Sequence, residues 1–202
     1  MTRIKMCGMT QPEDITAANG LMPDLIGFVF FPGSRRYVTP ETARALRKDL
    51  APGITAVGVF VDEDPETVAR LLAEGIIDRA QLHGHEDESY LAALRKRTEK
   101  PLIRAFRIRG PEDLREARAS SAEDILLDAG AGDGKTFDWR LLQGTDRPYF
   151  LAGGLTPENV SRAVRELKPY AVDVSSGIET EGRKDPAKMR AFIRAVREAE
   201  NT

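Results

Sequence analysis

The sequence has 202 residues, of which 41% are hydrophobic and 31% charged, and its formal net charge is −2 at pH 7. This length and hydrophobic content suffice for one full-sized core, so we predict a single domain over 1–202, although length alone leaves two small domains open. The near-neutral charge excludes a general attraction to nucleic acid or anionic membranes, and no apolar run approaches the ~20 residues of a membrane span.

Short apolar runs rich in β-forming residues alternate with helical patterns from one end of the sequence to the other, without a Ser/Pro-rich linker. The predicted strands are 4–6, 25–30, 54–61, 79–82, 102–106, 125–128, 149–152 and 171–174. An oxygen-bearing residue followed by proline marks several helix starts. These pairs are Thr39-Pro40, Asp64-Pro65, Thr156-Pro157 and Asp185-Pro186. At Gly110-Pro111 the proline is present but the capping oxygen is absent.

Repeated strand–helix units require parallel strands joined by right-handed crossovers. Eight such units fit a closed (β/α)8 barrel, the TIM barrel, better than an open doubly wound sheet, which is the alternative. A chain of 202 residues is short for this barrel, so we expect brief helices and loops, with the most cramped helix after Asp138.

Barrels of this type carry their active sites at the carboxyl ends of the strands, and polar or glycine residues gather there in this sequence. They are Cys7-Gly8, the segment 32–37, His83-Gly84, Asp128, Gly153-Gly154, Asp173 and Ser175-Ser176-Gly177. Glycines let backbone amides approach an anion, and the loops after strands seven and eight form the phosphate site of many barrels. We therefore predict phosphate binding at these two loops, with plain tight turns as the alternative for Gly153 and Gly154 alone.

Cys7 is the only cysteine of the chain, and it ends the first predicted strand. A single cysteine rules out an intrachain disulfide and is typical of a reducing compartment, so we expect a cytoplasmic protein. Taken alone, Cys7 is better explained as a small buried hydrophobic residue than as a functional thiol. The polar residues at the other strand ends favour a functional thiol.

Seven segments, in order along nearly the whole chain, carry a family resemblance. They are 5–8 (KMCG), 33–38 (GSRRYV), 81–84 (QLHG), 127–128 (LD), 134–139 (GKTFDW), 151–155 (LAGGL) and 173–179 (DVSSGIE). Together they resemble the phosphoribosylanthranilate isomerases. Any one segment is a weak signal, but seven at successive strand ends are specific.

The resemblance implies a (β/α)8 barrel that catalyses an Amadori rearrangement in tryptophan biosynthesis, converting N-(5-phosphoribosyl)anthranilate to 1-(2-carboxyphenylamino)-1-deoxyribulose 5-phosphate. It implies Asp128 as the general acid that opens the furanose ring and Cys7 as the general base that removes the C2 proton. No metal or organic cofactor is implied, because the substrate nitrogen supplies the electron sink. For these roles we expect cations near Cys7 that favour the thiolate, and apolar surroundings that keep Asp128 protonated.

The same resemblance implies binding roles. Arg36, two residues after Ser34, is expected to pair with the anthranilate carboxylate. His83 and Asp173 are expected to bond the sugar hydroxyls or to support the acid and base, with ordinary packing as the alternative. The predicted phosphate ligands are the amides or hydroxyls of Gly153, Gly154, Ser175, Ser176 and Gly177. The expected partner is a small phosphosugar, bound by a monomer or homodimer.

Two other patterns are weaker. The segment 129–136 resembles a nucleotide-binding P-loop but has Ala129 where the first glycine is required. His83, His85 and Glu86 are zinc-ligand residue types without a further clustered ligand. The remaining alternatives are another pentose-phosphate barrel isomerase or epimerase, which need not use Cys7, and a non-catalytic phosphosugar-binding barrel.

Overall fold

Eight parallel strands close into a barrel in which each strand pairs with its neighbour in chain order, and β1 pairs with β8 to complete the ring. The strands are β1 Arg3–Cys7, β2 Leu25–Val29, β3 Thr55–Phe60, β4 Arg79–Leu82, β5 Leu102–Arg107, β6 Asp124–Asp128, β7 Tyr149–Ala152 and β8 Ala171–Val174. The predicted (β/α)8 barrel is thus confirmed, and each predicted strand is present with its bounds displaced by no more than one residue.

The computed structural model describes residues 1–128, 139–142 and 145–201. Two of the segments named above lie outside the described residues. They are the P-loop-like segment 129–136 and residues 134–138 of the family segment 134–139. The cramped helix that we expected after Asp138 is described only as a 3-10 turn at Trp139–Leu142. The prediction of a single domain over 1–202 likewise extends beyond the described residues.

Helices on the outside of the barrel connect successive strands. Those of the described residues are α1 Pro12–Leu21, α2 Pro40–Lys48, α3 Pro65–Ala73, α4 Glu88–Arg95, α5 Pro111–Ala119, α6 Val160–Leu167 and α7 Pro186–Glu200. After β8 the chain forms a 3-10 turn, Ser176–Ile178, and a small antiparallel ribbon of β9 Glu179–Thr180 and β10 Arg183–Lys184. No helix of the described segments combines the length and the apolar character that crossing a bilayer demands.

Three of the four predicted helix starts are confirmed by side-chain caps: Thr39, Asp64 and Asp185 each accept a hydrogen bond from the first turn of their helix. At α5, where the capping oxygen was missing, Asp113 accepts from the backbone amides of Arg109 and Gly110 instead.

The prediction at Thr156-Pro157 was wrong by three residues, because α6 begins at Val160. Asn159 explains the delay. Its side-chain oxygen accepts from the amide of Thr156 at 2.9 Å, and its Nδ2 donates to the carbonyl of Gly154 at 2.9 Å. These bonds close a turn ahead of the helix.

Alternation along the strands decides which side chains enter the barrel. On β1, Ile4 and Met6 face outward and join the core between sheet and helices, whereas Cys7 faces inward and packs against Val29 and Val59. Much of the barrel interior is filled by an apolar cluster of Leu25, Val57, Ile103, Ala105, Leu126, Phe150, Ala152 and Ala171, of which Ala152 is level with Asp128. The polar residues that face inward near the carboxyl ends of the strands therefore lie beside an apolar interior.

Candidate active site

Cys7 is the last residue of β1 and is buried, with 8% of its surface exposed. Its register partner on β2 is Gly27. A Cβ atom at position 27 would lie 2.7 Å from the Cys7 sulfur, closer than real contacts allow. The glycine therefore leaves the space that the thiol occupies.

A buried ion pair lies next to Cys7. Lys5 precedes it by two residues on β1, and its Nζ is 3.0 Å from Oδ1 of Asp173 on β8. Burial lowers the pKa of Lys5, but the charges of Asp173 and Cys7 outweigh this and hold that pKa above its ordinary value. Lys5 therefore places a positive charge next to the thiol.

The expectation that the surroundings of Cys7 favour a thiolate is only partly met. Lys5 and Lys184 do act on the sulfur in that direction, as expected. Burial acts more strongly in the opposite direction, and it raises the pKa of the Cys7 thiol above its ordinary value, with Asp173 adding to the effect. The thiol form of Cys7 is therefore favoured over the thiolate at neutral pH.

Asp128 ends β6 at the same mouth of the barrel, with 20% of its side chain exposed. The apolar residues that precede it on the strand, including Leu127, are fully buried. Nε2 of His83, just past the end of β4, lies 3.3 Å from Oδ2 of Asp128. The candidate acid therefore has an imidazole as its neighbour.

Arg36 is bound on one edge by Glu179. Its Nε donates to Oε1 at 2.6 Å and its Nη2 to Oε2 at 2.9 Å. The same carboxylate accepts from Arg35 at 2.7 Å and from Lys184 at 2.8 Å. Burial raises the pKa of Glu179, but the bonds from Arg36 and Lys184 more than offset this and lower it below its ordinary value.

Arg36, in the loop after β2, packs against the backbone of Gly8. Gly8 has φ +85°, a conformation that favours glycine, and a Cβ there would collide with Cδ of Arg36. The segment after β8 is tied to the same place, because Oγ of Ser175 donates to the carbonyl oxygen of Cys7 at 3.0 Å. Lys184 in turn donates to the Ser175 carbonyl at 3.1 Å.

The loops after β7 and β8 meet through their backbones. Gly153 and Gly154 have φ values of +98° and +65°, and a Cβ at Gly177 would overlap the carbonyl oxygen of Leu155. The amides of Ser176 and Gly177 begin the 3-10 turn, where a helix has no internal acceptor for them. These loops thus present backbone donors at the mouth.

The zinc-type residues point to different partners. His83 faces Asp128, whereas Nδ1 of the exposed His85 lies 2.9 Å from Asp62. Glu86 accepts from the amides of Asp62 and Gly84. Within the described ranges, no three His, Cys, Asp or Glu side chains are grouped so that they could hold a metal ion.

Comparison with known protein families shows which family this chain belongs to. Residues 4–195 match the family model of N-(5'phosphoribosyl)anthranilate (PRA) isomerase. The chain belongs to the phosphoribosylanthranilate isomerase family. The resemblance found in the sequence is therefore confirmed, and with it the class of enzyme, an aldose–ketose isomerase of tryptophan biosynthesis.

Curated phosphoribosylanthranilate isomerases align over their full length. The protein of Desulforudis audaxviator is 43% identical over 209 residues, covering 98% of this chain and 100% of the relative. That of Acetivibrio thermocellus is 45% identical over 215 residues, covering 99% and 98%.

Solved structures of phosphoribosylanthranilate isomerases share the barrel closely. The Thermotoga maritima enzyme superposes with a TM-score of 0.91 at 36% identity, covering 98% of this chain and 100% of that chain. A second structure, with a TM-score of 0.88 and 37% identity, is a complex with reduced 1-(o-carboxyphenylamino)-1-deoxyribulose 5-phosphate. It covers 98% of this chain and 100% of that chain. A third is a monomeric form of the dimeric Thermotoga maritima enzyme, with a TM-score of 0.86.

The predicted site residues lie at or just after the carboxyl ends of the strands, but the residues that supply the charges around them were not named. Lys5 and Glu179 lay inside the family segments without a role, and Lys184 was not singled out. Inward alternation on β1 could have found Lys5, since a lysine between apolar residues of a strand needs a buried anion. No local pattern signals Lys184, because its partners come from the turn after β8.

Proposed function

We propose that this barrel isomerises N-(5'-phosphoribosyl)anthranilate to 1-(2-carboxyphenylamino)-1-deoxyribulose 5-phosphate by general acid–base catalysis, with Asp128 as acid and Cys7 as base. The observation that carries the proposal is the placement of one thiol and one carboxyl group at the same mouth, on β1 and β6 of a barrel whose family performs this reaction. Two proton-transfer groups on a shared cavity are what an aldose–ketose isomerisation requires.

Asp128 acts first. Its carboxylic acid gives a proton to the furanose ring oxygen as the C1–O bond breaks, and the nitrogen lone pair forms the C1=N bond of a protonated Schiff base. Cys7, as the thiolate, then removes the proton on C2. The electrons of that C–H bond form C1=C2, and those of C1=N return to nitrogen. The resulting enolamine takes a proton at C1 and loses its hydroxyl proton, which leaves the C2 ketone.

Cys7 has to lose its proton before it can serve as a base. Burial opposes this step, whereas Lys5, in the layer below, and Lys184, beside the end of β8, stabilise the thiolate. The positive charge that the thiolate needs therefore comes from these two lysines, and more firmly from Lys5, because burial lowers the pKa of Lys184 below its ordinary value.

Arg36 is proposed to bind the anthranilate carboxylate. A guanidinium has five N–H donors, and Glu179 takes one from Nε and one from Nη2. The edge formed by Nη1 and the second Nη2 proton can pair with a carboxylate in the bidentate manner. Glu179 thus fixes the arginine without using the edge that would meet the substrate.

The phosphate is proposed to bind at the loops after β7 and β8. Backbone amides of Gly153, Gly154, Ser176 and Gly177 supply donors there, with hydroxyl help from Ser176. The hydroxyl of Ser175 already donates to the carbonyl oxygen of Cys7. Ser175 can therefore take part in phosphate binding only through its backbone amide or the lone pairs of its hydroxyl oxygen.

We further propose that the protein works as a single-domain, cofactor-independent cytoplasmic enzyme, a monomer or homodimer, without a nucleic-acid partner. The net charge of −2 and the single cysteine support this, as do the dimeric and monomeric forms of the Thermotoga maritima relative.

A turnover assay tests the function. Purified protein is mixed with N-(5'-phosphoribosyl)anthranilate, and the ketose product is detected by mass spectrometry. Conversion that is lost in Cys7→Ala is expected. Binding without conversion would favour a non-catalytic phosphosugar-binding barrel, and equal conversion of a ribose phosphate lacking the anthranilate group would favour another pentose-phosphate isomerase.

A further inference from the structure

A buried amide lies behind His83. Gln81 is on β4 with 1% of its surface exposed, and its register partners on the neighbouring strands are the aliphatic Val59 and Ile103. Its Nε2 lies 3.2 Å from Nδ1 of His83. Its Oε1 is buried and has no hydrogen-bond partner among the described residues. An amide with only one of its groups satisfied in an apolar layer is costly, so its contact with His83 needs a reason.

The contact continues to the candidate acid. The other ring nitrogen of His83, Nε2, lies 3.3 Å from Oδ2 of Asp128. Gln81, His83 and Asp128 therefore form a chain that runs from the barrel interior to the mouth. In a neutral imidazole, the partner of one nitrogen decides which nitrogen carries the proton.

The amide NH2 group can only donate, so Nδ1 has to accept and the ring proton sits on Nε2, directed at Asp128. If the amide were rotated, Oε1 would meet a protonated Nδ1, and a bare Nε2 would face the carboxyl group. That arrangement sets the lone pair of Nε2 against the ionised carboxylate once Asp128 has given up its proton, and two acceptors repel each other. An imidazolium would place Nδ1–H against the amide N–H and would hold Asp128 ionised.

We propose that Gln81 is a positioning residue that fixes His83 in its neutral, Nε2-protonated form, so that His83 holds Oδ2 of Asp128 while the other carboxyl oxygen carries the transferable proton. This inference rests on the proposed role of Asp128. It assigns the buried amide a task in proton transfer although Gln81 itself does not reach the mouth.

The tautomer can be read without substrate. The chain has two histidines, and His85 is exposed and bonded to Asp62, away from the proposed chemistry. In a His85→Asn background, the side-chain nitrogen NMR spectrum reports His83 alone. A protonated Nε2 and a bare Nδ1 at neutral pH are expected. A predominant Nδ1–H form, or an imidazolium at pH 7, would overturn the proposal.

Two substitutions then test the cause. Gln81→Met keeps the length but cannot donate, so a mixture of tautomers is expected. A fall in kcat of about tenfold at nearly constant KM should accompany it, smaller than the 10²- to 10⁴-fold of a lost proton transfer because Asp128 itself remains. Gln81→Glu offers an acceptor to Nδ1, so the imidazolium should form and kcat should fall further. Ile103→Val changes the packing beside Gln81 and should alter neither the spectrum nor kcat.

The outcomes separate this proposal from the function itself. A folded Gln81→Met protein that keeps the wild-type tautomer overturns the role of Gln81, even if its melting temperature falls. A wild-type protein that never converts the substrate overturns the proposed function instead, whatever its tautomer.

Discussion

Arg36 and Glu179 are joined by two parallel hydrogen bonds of 2.6 and 2.9 Å. This pair links the loop after β2 to the ribbon that follows β8, two segments far apart in sequence. Lys184 joins the same carboxylate from the ribbon and also reaches the carbonyl of Ser175. The mouth of the barrel is therefore closed on one side by a charge network rather than by apolar packing.

The first prediction concerns this network. Glu179→Gln keeps the shape but loses the charge, so Arg36 loses charge-assisted hydrogen bonds of about 1.5–3 kcal/mol and its fixed orientation. Steady-state kinetics should show KM raised by about tenfold or more, with a smaller change in kcat. Glu74→Gln, which removes the exposed pair with Arg44, is the matched control and should change neither constant. An unchanged KM in Glu179→Gln would separate Arg36 from substrate binding.

The second prediction is a pH dependence. Because burial raises the pKa of the Cys7 thiol, kcat/KM should climb as pH rises through that titration, up to values above the ordinary thiol range. Lys184 stabilises the thiolate, so the thiol should become harder to ionise in Lys184→Met. The rise of kcat/KM with pH should then occur at higher pH than in the wild type. The test is to measure kcat/KM against pH for both proteins. A rise at lower pH in Lys184→Met would contradict the stabilisation of the thiolate by Lys184.

A third prediction tests the space around the sulfur. Gly27→Ala would place a methyl group 2.7 Å from the Cys7 sulfur, so the thiol has to move and kcat should fall. Overpacking of this kind costs about 1–3 kcal/mol of stability, visible in chemical denaturation. Gly20→Ala is the control, since its Cβ meets nothing within 4 Å on helix α1, and it should be neutral or stabilising.

The fourth prediction addresses the phosphate loops. A Cβ at Gly154 meets nothing within 4 Å, and φ is +65° there, a conformation that Asn and Asp tolerate better than other residues. Gly154→Asp and Gly154→Asn are thus matched in shape and differ in charge. We expect KM to rise far more in the Asp variant, because its carboxylate repels the phosphate dianion. Equal KM values in the two variants would show that the phosphate binds elsewhere.

Local patterns in the sequence predicted the elements well, for physical reasons. The strands carry continuous apolar runs because both faces of a barrel sheet are covered, and Thr39, Asp64 and Asp185 cap their helices as expected. The start of α6 was misplaced because Asn159 forms a competing turn, which neither a proline nor a preceding threonine reveals.

The sequence predicted candidate site residues at the strand ends and cations near Cys7, but it did not say which residues supply those charges or how strongly burial opposes them. Lys5 meets Asp173 only because β1 and β8 pair when the barrel closes, a contact across 168 residues of sequence. The raised pKa of Cys7 was also not predicted, because it depends on how far the burial of the thiol outweighs the charges of Lys5 and Lys184. Such balances are properties of the folded interior, not of the local sequence.

The central claim is that Cys7 and Asp128 act in different proton transfers, from the ends of β1 and β6. A positioned proton transfer contributes typically about 10²- to 10⁴-fold, so Cys7→Ala and Asp128→Asn should each lower kcat on that scale while substrate still binds. Circular dichroism should show both variants folded.

The most direct measurement is the primary isotope effect on kcat with substrate deuterated at C2. Cys7→Ser retains only a far weaker base, so C2 deprotonation should limit the rate and the effect should be large. In Asp128→Asn, ring opening should limit and the effect should shrink toward unity. Equal isotope effects in the two variants, or a Cys7→Ala enzyme that keeps more than about a tenth of kcat against the typical 10²-fold loss, would contradict the account.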